Sequence, residues 1–124
     1  MGNIQTVTIV DIPFVNMTHT QFVETIVKRH LLEQKKCFIV TANPEIVMEA
    51  RRNPDYKNTL LQANYIVPDG SGILLAAKCK KTPLKERIAG FDLMVDMLKL
   101  ANEHGSRCFF LGGKEAVVKQ TVAV

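Results

Sequence analysis

YIVPDGSGILLAAKCKKTPLKERIAG, residues 65–90, is the stretch from which the remaining elements take their order. Tyr65–Val67 is a short apolar run with the pattern of a buried strand. Pro68-Asp69-Gly70-Ser71-Gly72 reads as a turn, and the sequence from about Ile73 to Cys79 as an apolar helix. A basic loop follows and ends at Arg87 and Gly90. Asp69 falls where strand passes into helix. In open α/β sheets ligands bind outside the carboxyl ends of the strands, so a carboxylate there faces the usual crevice. Gly70 and Gly72 permit a tight turn and a close approach by a ligand.

Upstream, Ile4–Val10 is rich in β-branched residues and reads as a strand, with Pro13 marking an edge or a bend. Thr18-His19-Thr20-Gln21 is a capping box, in which Thr18 accepts from the third helical amide and Gln21 reaches back. The helix it opens is expected to run to about Gln34, with Phe22, Val23, Ile26, Val27 and Leu31 as its apolar stripe. Cys37–Val40 is a continuous apolar run, the pattern of a strand covered on both faces. Asn43-Pro44 and Asn53-Pro54 each pair a capping residue with a proline at the first helical position, so two helices follow. Ile46, Val47 and Ala50 are expected inside the first, and Tyr56, Leu60 and Leu61 on the apolar side of the second.

Downstream, Phe91–Glu103 has helical spacing, with Phe91, Met94, Val95, Leu98 and Ala101 on one face and Gly105 as its stop. Arg107–Leu111 reads as a further strand. Gly112-Gly113 then opens a helix from Lys114 that runs to Val124. Strand, Gly-Gly and helix together resemble a phosphate-binding turn, although a full Gly-x-Gly-x-x-Gly is absent. The alternation of strands and helices predicts an α/β fold, a mainly parallel, Rossmann-like sheet flanked by helices. The last helix ends without a cap, and residues 1–124 are expected to be the N-terminal part of a single α/β domain that continues further.

The chain's 124 residues suffice for one core, and 47% apolar with 23% charged residues is ordinary for a globular protein. No apolar run reaches membrane-span length, and no signal peptide is evident. Cys37, Cys79 and Cys108 are scattered without a Cys-x-x-Cys, which fits reduced thiols. Cys37 and Cys108 are expected to be core residues, and His19, His30 and His104, at helix ends, to be exposed.

The net charge of +4 is uneven: Lys78, Lys80, Lys81, Lys85 and Arg87 lie within ten residues whose one acid is Glu86. Such a run is either a solvated loop or a patch for phosphates, nucleotides or an anionic membrane surface. Helix-turn-helix, zinc-finger and aromatic stacking signatures are missing, so nucleic acid is not an expected partner.

Two strand ends carry polar residues: Thr41 and Asn43 after one, Asp69 after the other. If those strands are adjacent and parallel, the three meet at one rim. Asp69 is then placed to act as a general base on a hydroxyl, with Thr41 and Asn43 orienting the substrate and Arg87 holding a phosphate or carboxylate. The structural alternatives are equally concrete. Asn43 serves as a helix cap, Asp69 as a turn or cap residue, and Arg87 as partner of Glu86 or Asp92. Asp-x-Asp, His-x-x-x-His and Cys–His clusters are absent, and so is a Gly-x-Ser-x-Gly elbow, so neither a metal site nor a serine hydrolase is expected.

TANPEIVMEARRNPDYKNTLLQANYIVPDGSGILLAAK (41–78), then ERIAGFDLM (86–94), then Phe109-Phe110-Leu111-Gly112-Gly113, resemble the WecG/TagA/CpsF family of bacterial glycosyltransferases. The resemblance runs from about Val7 to the end. It rests on Thr-x-Asn, Pro-Asp-Gly-x-Gly and Glu-Arg-x-Ala-Gly in combination. It implies transfer of a sugar, N-acetylmannosamine or a relative, from a UDP donor to a polyprenyl-diphosphate-linked saccharide acceptor, with inversion and with no metal or other cofactor required. It further implies a place in wall teichoic acid or other surface polysaccharide synthesis.

In that reading Asp69 is the base, Thr41, Asn43 and Arg87 bind substrate, and Gly112 and Gly113 face the nucleotide. Members are roughly twice as long, and their second half completes the nucleotide pocket and carries a basic membrane-docking segment. The expected location is therefore the cytoplasmic face of the plasma membrane, held peripherally. The 124 residues alone are expected to be poorly active and, with an apolar flank uncovered, prone to homo-oligomerise. The alternative is a non-catalytic nucleotide- or phosphate-binding α/β module built on Gly112-Gly113 and the basic loop. A nicotinamide dehydrogenase is disfavoured by the incomplete glycine fingerprint.

Overall fold

A computed structural model describes residues 4–123. β1 (Thr6–Ile9) and β2 (Ile12–Val15) form an antiparallel hairpin in which Thr8 faces Pro13. The turn between them, Val10-Asp11, has φ of 50° and 63°, the two-residue left-handed geometry that matches strand twist. The strand expected over Ile4–Val10 is present as β1, and Ile12–Val15, which the sequence did not mark as a strand, pairs with it with exposed Pro13 inside. α1 (His19–Phe22), a π-helical turn (Val23–Val27) and α2 (Lys28–Glu33) follow as one continuous helix ending at left-handed Gln34. Its start is the capping box: Thr18 Oγ1 accepts from the Gln21 amide at 3.2 Å and Gln21 Oε1 from the Thr18 amide at 3.1 Å.

β3 (Ile39–Ala42) leads into α3 (Pro44–Arg52) and α4 (Pro54–Leu61), and β4 (Tyr65–Pro68) then returns parallel to β3. Ile39 faces Tyr65 and Ala42 faces Pro68. Asn43 and Asn53 cap their helices as read, Asn43 Oδ1 accepting from the Ile46 amide at 2.9 Å. α5 (Ser71–Cys79), α6 (Gly90–His104) and α7 (Glu115–Ala123) complete the described elements. Val124, where the last helix was expected to end, lies outside the described residues.

Side chains alternate across β2 and β4 because strand residues point to opposite faces in turn. Phe14 and Ile66 enter one apolar cluster with Val47, Leu60, Ile73 and Ala77 from α3, α4 and α5. Val15 and Val67 enter a second with Phe22, Ile26, Ile88 and Leu93. Helices therefore cover the parallel pair on both sides, and the fold is α/β as expected. The sheet is smaller than expected: among the described residues there is one parallel pair and one antiparallel hairpin.

Arg107–Leu111 is not a strand. Strand structure needs a partner for its backbone, and among the described residues this segment makes no ladder to the open edge of β3. Phe109 and Leu111 are 88% and 93% exposed, and Cys108 is exposed rather than in the core. The faces of two helices also differ from the periodicity. α6 buries Leu93, Leu100 and Ala101, while Phe91, Met94 and Leu98 are exposed; α4 buries Leu60 alone, leaving Tyr56 and Leu61 out. Of the histidines, only His104 is exposed. His19 is half-buried with Nε2 2.5 Å from Asp96 Oδ2, and His30 donates through Nδ1 to the Ile26 carbonyl, edge-on to Tyr65.

Candidate active site

The carboxyl ends of β3 and β4 lie side by side, and the turns leaving them are packed together. Thr41 is in register with Val67, and the Asp69 amide donates to the Ala42 carbonyl at 3.0 Å, carrying the ladder one residue past the strand. Gly70 follows with φ 111° and ψ 148°, a conformation essentially reserved for glycine. A methyl group on Gly72 would stand 2.9 Å from Cγ of Pro44. The first proline of α3 thus rests on the glycines of the other turn, which fixes Thr41 and Asp69 relative to one another.

Gly90 closes the site from a third direction. Its amide donates to Asp69 Oδ2 at 3.1 Å. Ala89, at the cap position of α6, offers no side-chain acceptor, so a carboxylate 21 residues earlier takes that place at the positive end of the helix. A methyl group on Gly90 would lie 2.8 Å from Thr41 Oγ1 and 3.2 Å from Asp69 Oδ2. Both oxygens therefore crowd one point beside the helix start. The Ile88 amide donates to the Pro68 carbonyl at 2.6 Å, anchoring the loop that delivers Gly90. Asp69 is half-buried; the protein bonds its Oδ2, and among the described residues Oδ1 takes no hydrogen bond. A carboxylate with one oxygen held and one available is suited to accept a proton from a hydroxyl.

The sequence-derived candidates separate into three groups. Thr41 and Asp69 come together. Asn43 stands at the same strand end, half-buried, with its oxygen committed to capping α3 and its amide nitrogen outside that bond. Arg87 is exposed and lines a different hollow of about 460 Å³ with His19, Glu86, Asp96 and Lys99. Arg87 takes part in none of the ion pairs found among the described residues, while Glu86 accepts from the His19 amide at 3.0 Å. Gly112 and Gly113 are exposed with φ of 107° and 79°, and nothing lies within 4 Å of a methyl group built on Gly112.

A groove of about 950 Å³ runs along the open edge of β3, with Thr41 and Gly90 in its lining alongside Phe38, Leu93, Met97 and Phe110. α6 is the wall between it and the Arg87 hollow, since alternate faces of that helix line each. Gly90 is the site residue that reading by residue type passed over, because glycine carries no functional group. Its signal was positional: an unexplained glycine immediately before an apolar helix that lacks its own cap.

Comparison with known proteins places these features in context. The glycosyl transferase WecG/TagA/CpsF family model matches residues 7–124. The chain is 41% identical over 118 residues to the N-acetylglucosaminyldiphosphoundecaprenol N-acetyl-beta-D-mannosaminyltransferase of Bacillus spizizenii, covering 95% of this chain and 46% of that protein. Proteins of the same name from Bacillus subtilis and Staphylococcus aureus are 36% and 41% identical, with 96% and 95% of this chain covered and 46% and 47% of theirs. The chain thus spans about half the length of the curated relatives it matches.

Proposed function

The chain belongs to the glycosyl transferase WecG/TagA/CpsF family, and on that premise we propose that it forms part of an inverting transferase. The enzyme moves N-acetylmannosamine, or a closely related sugar, from a UDP donor to a polyprenyl-diphosphate-linked N-acetylglucosamine at the cytoplasmic membrane face. The observation that carries the reading is the juxtaposition of Asp69 with Thr41 at the ends of two parallel strands. The names of the relatives supply the donor sugar and the lipid-linked acceptor.

In this reading the acceptor hydroxyl approaches the Asp69 carboxylate at the rim formed by the two strand ends. Asp69 accepts its proton through the oxygen the protein leaves open, while the Gly90 amide holds the other oxygen and fixes the carboxylate plane. The deprotonated oxygen attacks the anomeric carbon from the face opposite UDP, and UDP leaves. Thr41 Oγ1, at the same point, orients the acceptor or the donor sugar. Asn43 presents its amide to the same rim. Arg87 and the Gly112-Gly113 turn belong to the binding of phosphates.

The test is a transfer assay on a protein carrying this sequence at the relatives' full length. UDP-N-acetylmannosamine and a short-chain GlcNAc-diphospholipid are supplied, and the product is analysed by mass spectrometry and NMR. A β-linked disaccharide lipid with release of UDP is expected. Turnover of neither this donor nor its uronic acid and glucose counterparts would overturn the reading.

A further inference from the structure

His19 grips the chain on both sides of Gly90. Its backbone N–H donates to Glu86 Oε1 at 3.0 Å, ahead of Gly90 in the chain, and its ring Nε2–H donates to Asp96 Oδ2 at 2.5 Å, beyond it. The three residues line one hollow, and the His19 side chain is only 21% exposed, so the tie is partly shielded from water.

The two partners belong to different parts of the frame. Glu86 lies in the loop whose Lys85 amide donates to Asn16 Oδ1 at 2.8 Å and whose Ile88 amide bonds the Pro68 carbonyl. Asp96 lies on α6, about 9 Å along its axis from Gly90. That helix otherwise meets the first one through apolar side chains, Leu93 and Leu100 sharing a cluster with Val23, Ile26 and Val27. Apolar burial is non-directional and sets no register along the axis, whereas a hydrogen bond is directional and does. The register matters because the first amide of α6 is that of Gly90, which holds Asp69 Oδ2.

We infer that His19 is a positioning residue for the Asp69 carboxylate. By holding Glu86 and Asp96 together it fixes the start of α6, and with it the amide that orients the candidate base. The inference rests on the function proposed above in taking Asp69 as that base.

The experiment is amide hydrogen exchange at Gly90, resolved by NMR in the 124-residue protein. His19→Ala and Asp96→Ala each remove the ring contact and keep the His19 amide for Glu86. Asp96→Asn keeps an acceptor oxygen for Nε2–H. Asn53→Ala, at the cap of α4, lowers stability away from the site and is the control. Should an alanine variant of the pair fail to fold, His19→Leu or Asp96→Ser takes its place. Exchange at Gly90 is expected to rise about fivefold or more in His19→Ala and Asp96→Ala, and to recover in Asp96→Asn. Asn53→Ala should lower the urea midpoint and leave Gly90 unchanged.

Unchanged exchange in the two alanine variants, or no recovery in Asp96→Asn, would overturn the inference. So would equal acceleration in Asn53→Ala, which would make the pair a staple of stability alone. At the relatives' full length the same two variants should lower kcat with KM unchanged, and a wild-type kcat in an active enzyme would also overturn it. Exchange is read without turnover, so its failure and the failure of the transfer assay are separate results.

Discussion

Gly90 donates its backbone N–H to Asp69 Oδ2 at 3.1 Å, so one carboxylate both caps α6 and stands at the end of β4. The space a Gly90 side chain would fill is bounded by that same oxygen and by Thr41 Oγ1. Gly90→Ala is therefore expected to destabilise the protein by about 1–3 kcal/mol, the usual range for overpacking, through displacement of Thr41 or of the helix start. Urea denaturation should show a lower midpoint with an unchanged slope. Adding Thr41→Ala should recover part of the loss, because the nearest atom is removed.

Asn43 combines a capping role with a proposed binding role, and two substitutions divide them. Asn43→Ala removes the acceptor for the Ile46 amide and should cost about 1 kcal/mol. Asn43→Asp keeps an acceptor at the helix start and should leave stability within a few tenths of a kcal/mol. If the amide nitrogen serves the substrate, the Asp variant at full length should show a raised KM for donor or acceptor despite normal melting.

Val10 is a β-branched residue at φ 50° in the turn of the β1–β2 hairpin. A left-handed backbone costs an L-residue roughly 1–2 kcal/mol, and Asn tolerates it best after Gly. Val10→Asn should therefore stabilise the protein by about 0.5–1 kcal/mol, read as a higher urea midpoint.

Burial raises the thiol pKa of Cys37 above its ordinary 9.0, whereas Cys79 and Cys108 are exposed. The thiolate is the nucleophile, so iodoacetamide at pH 8 should modify Cys79 and Cys108 before Cys37. A raised folded-state pKa means the native protein holds that proton more tightly than the unfolded chain. The associated stability is present at neutral pH and is lost as pH climbs through and beyond the ordinary thiol value.

Local signals in the sequence proved readable where one residue decides one bond. Thr18-x-x-Gln21, Asn43-Pro44, Asn53-Pro54 and Gly105 each appear in the structure as the cap the sequence implied. The pairing of β3 with β4, and with it the meeting of Thr41 and Asp69, was legible because an apolar run, two helices and another apolar run suit a parallel crossover. What escaped depends on partners far along the chain. Arg107–Leu111 has strand composition, yet composition supplies no ladder. Met94 and Leu98 have core spacing, yet they face a groove. Gly90 matters for the atoms it makes room for, and nothing within its own neighbourhood of sequence names Thr41 and Asp69 as those atoms.

The most direct measurement is the rate of sugar transfer by Asp69→Asn at the relatives' full length. Asparagine keeps an oxygen for the Gly90 amide, so folding and substrate binding should persist in melting and titration controls. A general base contributes typically 10²–10⁴-fold, and the account predicts a fall in kcat of about that size with little change in KM. A folded Asp69→Asn enzyme turning over at the wild-type rate would contradict it.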